Sequence, residues 1–296
     1  MKIIYSPKSV EYSKEGEPEA PFRVSKTYEL LKENDPEGKK FEFITPNPCS
    51  EEDILRVHSK EFLNAIKSGG KENRELLDND LVMYDNIFYY ASLSAGAAIA
   101  AIESCLNDSE NVFSLMRPPG HHAGKVAEGF CYFNNMAIAV LKALESGKVK
   151  KIAIIDLDLH HGNGTQDIFF GDNRVLFISL HQSPEYPGTG LKSVGNCINF
   201  PLSVKTDEKL YLEKLEEAIS EIKKFNPDLI GVSAGFDTYK KDPIVEYGNF
   251  DLDIKSYEKI AQMIKSVEKP FFSILEGGYS SDVPSLIESY LNGLEK

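Results

Sequence analysis

From residue 111 onward, five short runs rich in Ile, Val, Phe and Leu alternate with longer segments of helical period, and this rhythm constrains the chain more than any other feature. The runs are NVFSLM (111–116), KIAIIDL (151–157), RVLFISL (174–180), DLIGVSA (228–234) and PFFSIL (270–275). Each is short and apolar enough to be buried on both faces, as strands of a parallel sheet are. Between them, FNNMAIAVLKALESG (133–147) reads as a helix closed by Gly147. DEKLYLEKLEEAISEIKKF (207–225) repeats apolar residues at Leu215, Ile219 and Ile222 before Asn226-Pro227 ends it. A further helix fits Tyr257, Ile260, Ala261, Ile264 and Val267, and the Ala-rich stretch 88–106 reads as a tightly packed one. Alternating strands and helices predict an α/β fold, a single domain spanning 1–296 with a central, mostly parallel sheet flanked by helices. The polar segments near 34–40 and 69–80 read as loops, and no repeat or low-complexity tract interrupts the chain.

Every run ends, at its C-terminal side, in residues that make poor core: MRPPGHHAG, DLDLHHGNG, HQSPEYPGTG, GFDTYKKD and EGGY. In a parallel α/β sheet the carboxyl ends of the strands share one edge, where ligands bind. Of the six histidines, His121, His122, His160, His161 and His181 all fall in these segments. Within IIDLDLHHGNG (154–164), residues two apart point the same way in extended chain, so Asp156, Asp158 and His160 share a face while Leu157 and Leu159 fill the other. Buried carboxylates and imidazoles need a partner or a metal. Two carboxylates and an imidazole suit a divalent ion, and Asp237 at the fourth strand's end could add an oxygen. Such a set resembles catalytic zinc more than structural zinc, and iron(II) or manganese fit nearly as well. The competing reading is that these aspartates cap loops and the histidines are solvated.

Other properties narrow the classes. A net charge of −13 makes a nucleic-acid backbone an unfavourable partner and attracts cationic substrates. Four scattered cysteines (Cys49, Cys105, Cys131, Cys197) without a C-x-x-C pair suit reduced, structural thiols in a cytoplasmic protein. No apolar run of roughly 18 residues is evident, so no membrane span is expected.

In this order, RPPGHHAG, GFCYFNN, DLDLHHGNGTQ, SLHQSPEYPGTG, SAGFD and LEGGY resemble the zinc-dependent deacetylases of the histone deacetylase and acetylpolyamine amidohydrolase superfamily, closer to class II and bacterial members than to class I. A weaker echo is EPEAPFRV (17–24), with Glu17 where the family usually has His. The resemblance implies an arginase/deacetylase fold and hydrolysis of N-acetyl amides. It implies Asp158, His160 and Asp237 as zinc ligands, which moves Asp156 off the metal to orient His121. His122 becomes the general base and acid, His121 its electrostatic partner, and Tyr279 the donor to the oxyanion. Phe130 and Tyr186 wall a narrow tunnel, with Gly129 and Ile244 along it. Asn163 stands where class I members carry an aspartate, so His122 is less biased toward its charged form. A potassium ion is implied near Asp156, Asp158, His160, Ser179 and Leu180.

Several residues read more simply. His58 fits a packed helix histidine, Cys131 a structural thiol, and His161 and His181 supporting or core groups. Asp80 or Asp85 is a candidate rim aspartate, and Glu17, Glu128 and Glu185 could acidify the mouth. A manganese ureohydrolase of the same fold needs more acidic and His ligands than DLDLHH and Asp237 supply. A non-catalytic binder of acylated amines would not need Tyr279 or both histidines of GHH. Acetylated lysine in a peptide or protein is slightly favoured over an acetylated polyamine, because Ile244 replaces the glutamate of a polyamine-selective branch. A monomer or loose homodimer is expected.

Overall fold

The computed structural model describes residues 1–108, 110–245 and 247–295. In chain order the elements are β1 (Lys2–Ile4), α1 (Phe22–Asn34), β2 (Glu42–Ile44), α2 (Glu51–Leu55), α3 (Lys60–Lys67), α4 (Ile87–Asp108), β3 (Val112–Ser114), α5 (Asn135–Glu145), β4 (Ile152–Asp156), α6 (Asn163–Phe169), β5 (Val175–Gln182), β6 (Cys197–Leu202), α7 (Glu208–Phe225), β7 (Leu229–Ala234), α8 (Ile254–Lys265), β8 (Phe271–Leu275) and α9 (Val283–Glu295). The strands form one sheet in the order β2-β1-β3-β8-β7-β4-β5-β6. Every pair is parallel.

The five apolar runs became β3, β4, β5, β7 and β8, and their alternation explains why. In β4, Ile152 and Ile154 enter one core while Ala153 and Ile155 enter the other. Val175 and Phe177 of β5 divide from Leu176, Ile178 and Leu180 in the same way. Helices α4 and α5 cover the first face and α7, α8 and α9 the second. On the first face α5 sits so close that a Cβ on Gly231 would lie 2.7 Å from Met136 Sδ. The expected helices are present, with Asn134 capping α5 through the Ala137 N–H and Asp207 capping α7 through the Leu210 N–H. Asn226 ends α7 in the left-handed region at φ 50°.

Other features differ from the sequence reading. Strands β1, β2 and β6 and helices α1, α2, α3, α6 and α9 extend the fold beyond the expected elements. Segment 69–80 contains a short 3-10 turn, Arg74–Leu76. His58 is packed as expected but lies in the turn between α2 and α3, stacked on Phe62 with Nε2 accepting the Asn134 N–H. Helix α4 is long and apolar enough, by length and composition, to cross a bilayer, contrary to expectation. Its apolar side chains are mostly buried in the first core, which accounts for the composition without a membrane.

Candidate metal centre and its tunnel

Strand β4 ends at Asp156, and the next four residues leave the sheet while Leu157 and Leu159 stay anchored in the second core. This departure separates the side chains expected on one face. Asp156 Oδ1 accepts the Asp158 N–H, and its Oδ2 meets His121 Nδ1 at 3.1 Å. Asp158, His160 and Asp237 instead converge, with ligand atoms all within 4.8 Å of one another and all three residues buried. His160 Nδ1 lies 3.1 Å from Asp158 Oδ1 and 3.0 Å from Asp237 Oδ2. The remaining carboxylate oxygens are held by backbone: Gly277 N–H donates to Asp158 Oδ2 and Leu159 N–H to Asp237 Oδ1. Glycine is required here, because a Cβ on Gly277 would stand 2.4 Å from Asp237 Oδ2 and one on Gly235 would stand 2.3 Å from the Asp158 Cα.

The electrostatics of the trio fit a cation. Burial opposes charge on His160, yet hydrogen bonds to Asp158 and Asp237 outweigh it and lift its pKa to about 10. Burial pushes the Asp237 carboxyl up, and the neighbouring Asp158 carboxylate adds to the shift. A proton on His160 thus stands where a divalent ion would balance two desolvated carboxylates. One imidazole nitrogen and two carboxylate oxygens are a donor set that zinc or iron(II) accepts. A second buried group, His121, Cys131 and Glu276, also clusters within 4.8 Å, but none of the three lines the tunnel. Burial holds its thiol well above the usual range, which suits a structural cysteine.

His121 and His122 pack with ring centroids 4.0 Å apart and planes tilted by 43°, and their environments drive them oppositely. Burial disfavours the charged form of His121, but Asp158 and Asp156 overcome it and hold its pKa well above the ordinary value. Burial and then the neighbours His121 and His160 hold His122 well below it. His122 Nδ1 lies 2.7 Å from Asn163 Oδ1. The loop bearing both histidines is fixed by Glu276, whose Oε2 accepts the Gly120 and His121 N–H groups at 2.8 and 3.2 Å. Burial raises this carboxyl to about 7.

Tyr279 follows a turn with Gly278 at φ 113°, where a Cβ would lie 2.6 Å from Phe236 Cβ. Asp242 Oδ2 accepts the Tyr279 N–H at 2.6 Å and the Ser280 N–H at 3.0 Å. Beneath the ring lies Arg23, its guanidinium 4.8 Å from the centroid. Arg23 Nε donates to the Gly278 carbonyl at 2.6 Å, and a second nitrogen donates to the Glu276 carbonyl. Glu19 joins Arg23 to Arg117, which also binds the Ser9 and Tyr12 carbonyls. Roles for Glu19, Arg23, Arg117, Asp242 and Glu276 were not assigned from sequence, although EPEAPFRV, GFDTYKKD and EGGY flagged the segments. A charged residue beside a recognised motif was the available signal.

A cavity of about 270 Å³ reaches the trio at His160. His122, His160 and Tyr279 line it together with Gly129, Phe130, Tyr186 and Ile244, and Asp78, Asp80, Leu81 and Glu185 complete it. Phe130 adopts φ 65°, and its ring centroid is 5.7 Å from that of Tyr279. The Tyr186 ring lies 5.1 Å from that of His122. Asp80 therefore borders the cavity and Asp85 does not. Glu17 pairs with Lys14 at the surface, while Glu128 binds Asn163 Nδ2. Ser179 faces Asp156 in the β4–β5 register, its hydroxyl 3.0 Å from His181 Nδ1, and the Leu180 side chain belongs to the second core. His161 and His181 pack against each other at a tilt, ring centroids 4.7 Å apart.

Comparison with known proteins agrees with this architecture. Residues 17–294 match the histone deacetylase domain, and the chain belongs to the histone deacetylase family. It is 38% identical over 279 residues to a probable deacetylase of Archaeoglobus fulgidus, covering 89% of this chain and 76% of that one. It is 39% identical over 283 residues to acetylpolyamine amidohydrolase 2 of Pseudomonas aeruginosa, covering 81% of each. Among solved structures, the HDA15 HD domain superposes with a TM-score of 0.88 at 30% identity, covering 100% of this chain and 89% of that one. The acetylpolyamine aminohydrolase of Burkholderia pseudomallei gives 0.86 at 25% identity, covering 99% and 98%.

Proposed function

We propose that this chain is a zinc-dependent amidohydrolase that removes the acetyl group from acetylated amines, with acetyl-lysine in a peptide or protein slightly favoured. The observation that carries the reading is the convergence of Asp158, His160 and Asp237, with His160 also lining a cavity that presents His122 and Tyr279. Asp158, His160 and Asp237 would hold the metal; iron(II) satisfies the same donors, and a potassium ion near Asp156 and Ser179 is part of the reading. Zinc, when bound, supplies Lewis-acid polarisation of the acetyl carbonyl and of the attacking water. His122 takes the water's proton at Nε2 and returns it to the departing amine. The low basicity that burial and its neighbours give His122 suits a neutral base. His121, held by Asp156, shares the charge that forms on its neighbour. The Tyr279 hydroxyl donates to the oxyanion, and Arg23 beneath the ring fixes the turn that carries it. Phe130 and Tyr186 exclude water and clasp a methylene stem.

Acetylated polyamines form a second reading, favoured by the carboxylates Asp78, Asp80 and Glu185 along the tunnel and by the name of the Pseudomonas relative. Ile244 at the wall argues for the lysine side chain. Side-by-side kcat/KM values for an acetyl-lysine peptide, acetylputrescine and acetylspermidine decide between them, and a hundredfold preference for the polyamines reverses the order. Replacing Tyr279 by Phe is expected to lower kcat about tenfold or more while an inert substrate analogue still binds. Unchanged turnover removes Tyr279 from the mechanism.

A further inference from the structure

The contact between His122 and Asn163 continues outward. Asn163 Nδ2 donates to Glu128 Oε1 at 2.6 Å. An asparagine amide has two chemically distinct ends, an oxygen that accepts and a nitrogen that donates, and it can flip between them. An ionised carboxylate only accepts. Glu128 therefore compels Asn163 to present its nitrogen outward and its oxygen to His122. Facing an acceptor 2.7 Å away, His122 Nδ1 must carry the ring proton. A neutral imidazole then keeps its lone pair on Nε2, the nitrogen that takes a proton in general-base catalysis.

We infer that Glu128 is a positioning residue for deacetylation, which fixes the His122 tautomer through Asn163. This rests on the proposed role of His122 as general base. An aspartate at 163 would offer His122 only acceptors and would need no such support. An asparagine needs something to choose its orientation, and Glu128 makes the choice. Conversely, Asn163→Asp would set two carboxylates against each other across the 2.6 Å contact.

The test uses the full, zinc-loaded chain. With an acetyl-lysine peptide, Glu128→Ala is expected to lower kcat roughly three- to tenfold, the order of one hydrogen bond. Glu128→Gln keeps an acceptor and recovers most of the loss. Adding Glu128→Ala to Asn163→Ala costs nothing further, and Asn163→Asp is rescued by Glu128→Gln. Nitrogen-15 shifts of the His122 ring, read without substrate, should show protonated Nδ1 in the parent and mixed tautomers in Glu128→Ala. An unchanged tautomer in that variant, or additive losses in the double variant, overturns the inference. Absence of turnover on every acetylated amine with the tautomer shift intact rejects the deacetylase reading and leaves only the control of the His122 tautomer by Glu128 standing.

Discussion

Two pairs of buried imidazoles pack ring against ring at a tilt, and they behave differently. His121 and His122 are 4.0 Å apart and His161 and His181 are 4.7 Å apart, centroid to centroid. The first pair sits beside Asp156 and Asp158, which hold His121 well above the ordinary range while His122 falls well below it. The hydrogen-bond partners of the second pair are neutral: Thr189 Oγ1, Gln166 Oε1, Ser179 Oγ and the Gly190 carbonyl. Burial, with nothing to oppose it strongly, lowers His161 to about 4 and His181 to about 3. Residue type and burial are alike in the two pairs, so the partners make one pair chemically asymmetric and the other a neutral strut. The strut holds Thr189 and Gly190, on the loop that carries Tyr186, against β5.

The sharpest way to break this comparison is to remove the acidic neighbours. Asp158→Ala or Asp237→Ala should lower kcat/KM by about a thousandfold or more, several kcal/mol of lost charge stabilisation. Metal analysis after dialysis should find zinc lost from these variants and retained by His181→Gln. Next in size, His122→Gln should lower kcat by about a hundredfold, at the low end of general-base contributions, with its unfolding midpoint little changed. His161→Ala should show the reverse pattern: urea unfolding weakened by about 1–3 kcal/mol, from buried partners left unsatisfied, with kcat largely retained.

The smallest effect is on pH dependence. His58 is lowered to about 3 by burial, alongside His161 and His181. Each has a folded-state pKa below its unfolded value of about 6.5, so the unfolded chain binds more protons in between. Their stabilising contribution is complete above pH of about 6.5 and is lost as pH falls toward 4. Asp237 and Glu276, both raised to about 7, act in the opposite sense over the same range, so the test is the difference from the parent. Between pH of about 5.5 and 4, His58→Gln should make the slope of unfolding free energy against pH less positive by about 1.4 kcal/mol per pH unit. An unflattened slope would show that His58 does not contribute.

How legible the molecule was in its sequence follows from the same physics. Strands β4, β5, β7 and β8 were readable because both faces are buried, which produces dense apolar runs. Strands β1 and β2 have only three residues each, too few for a period to show. Strand β6 carries Asn199 and Pro201, and Pro suits the sheet edge it occupies. Helix α1 bears Arg23, Lys26, Glu29, Lys32 and Glu33, and so resembles solvated chain. At the site, spacing located the trio but placed Asp156 with it, because alternation holds only while the backbone stays extended. The Glu19–Arg23–Arg117 network was illegible for a different reason: Arg117 lies 98 residues from Glu19, and charge alone does not reveal that Arg23 and Arg117 are completely buried.

The order of the sheet has a consequence for how the polypeptide matures on the ribosome. Strand β8 is the last to be synthesised, yet it lies between β3 and β7 in the middle of the sheet. Until it emerges, β2-β1-β3 and β7-β4-β5-β6 are two half-sheets, each with an open apolar edge exposed to wrong pairing. Nascent chains should therefore depend most on chaperones in the interval between release of β7 and arrival of β8.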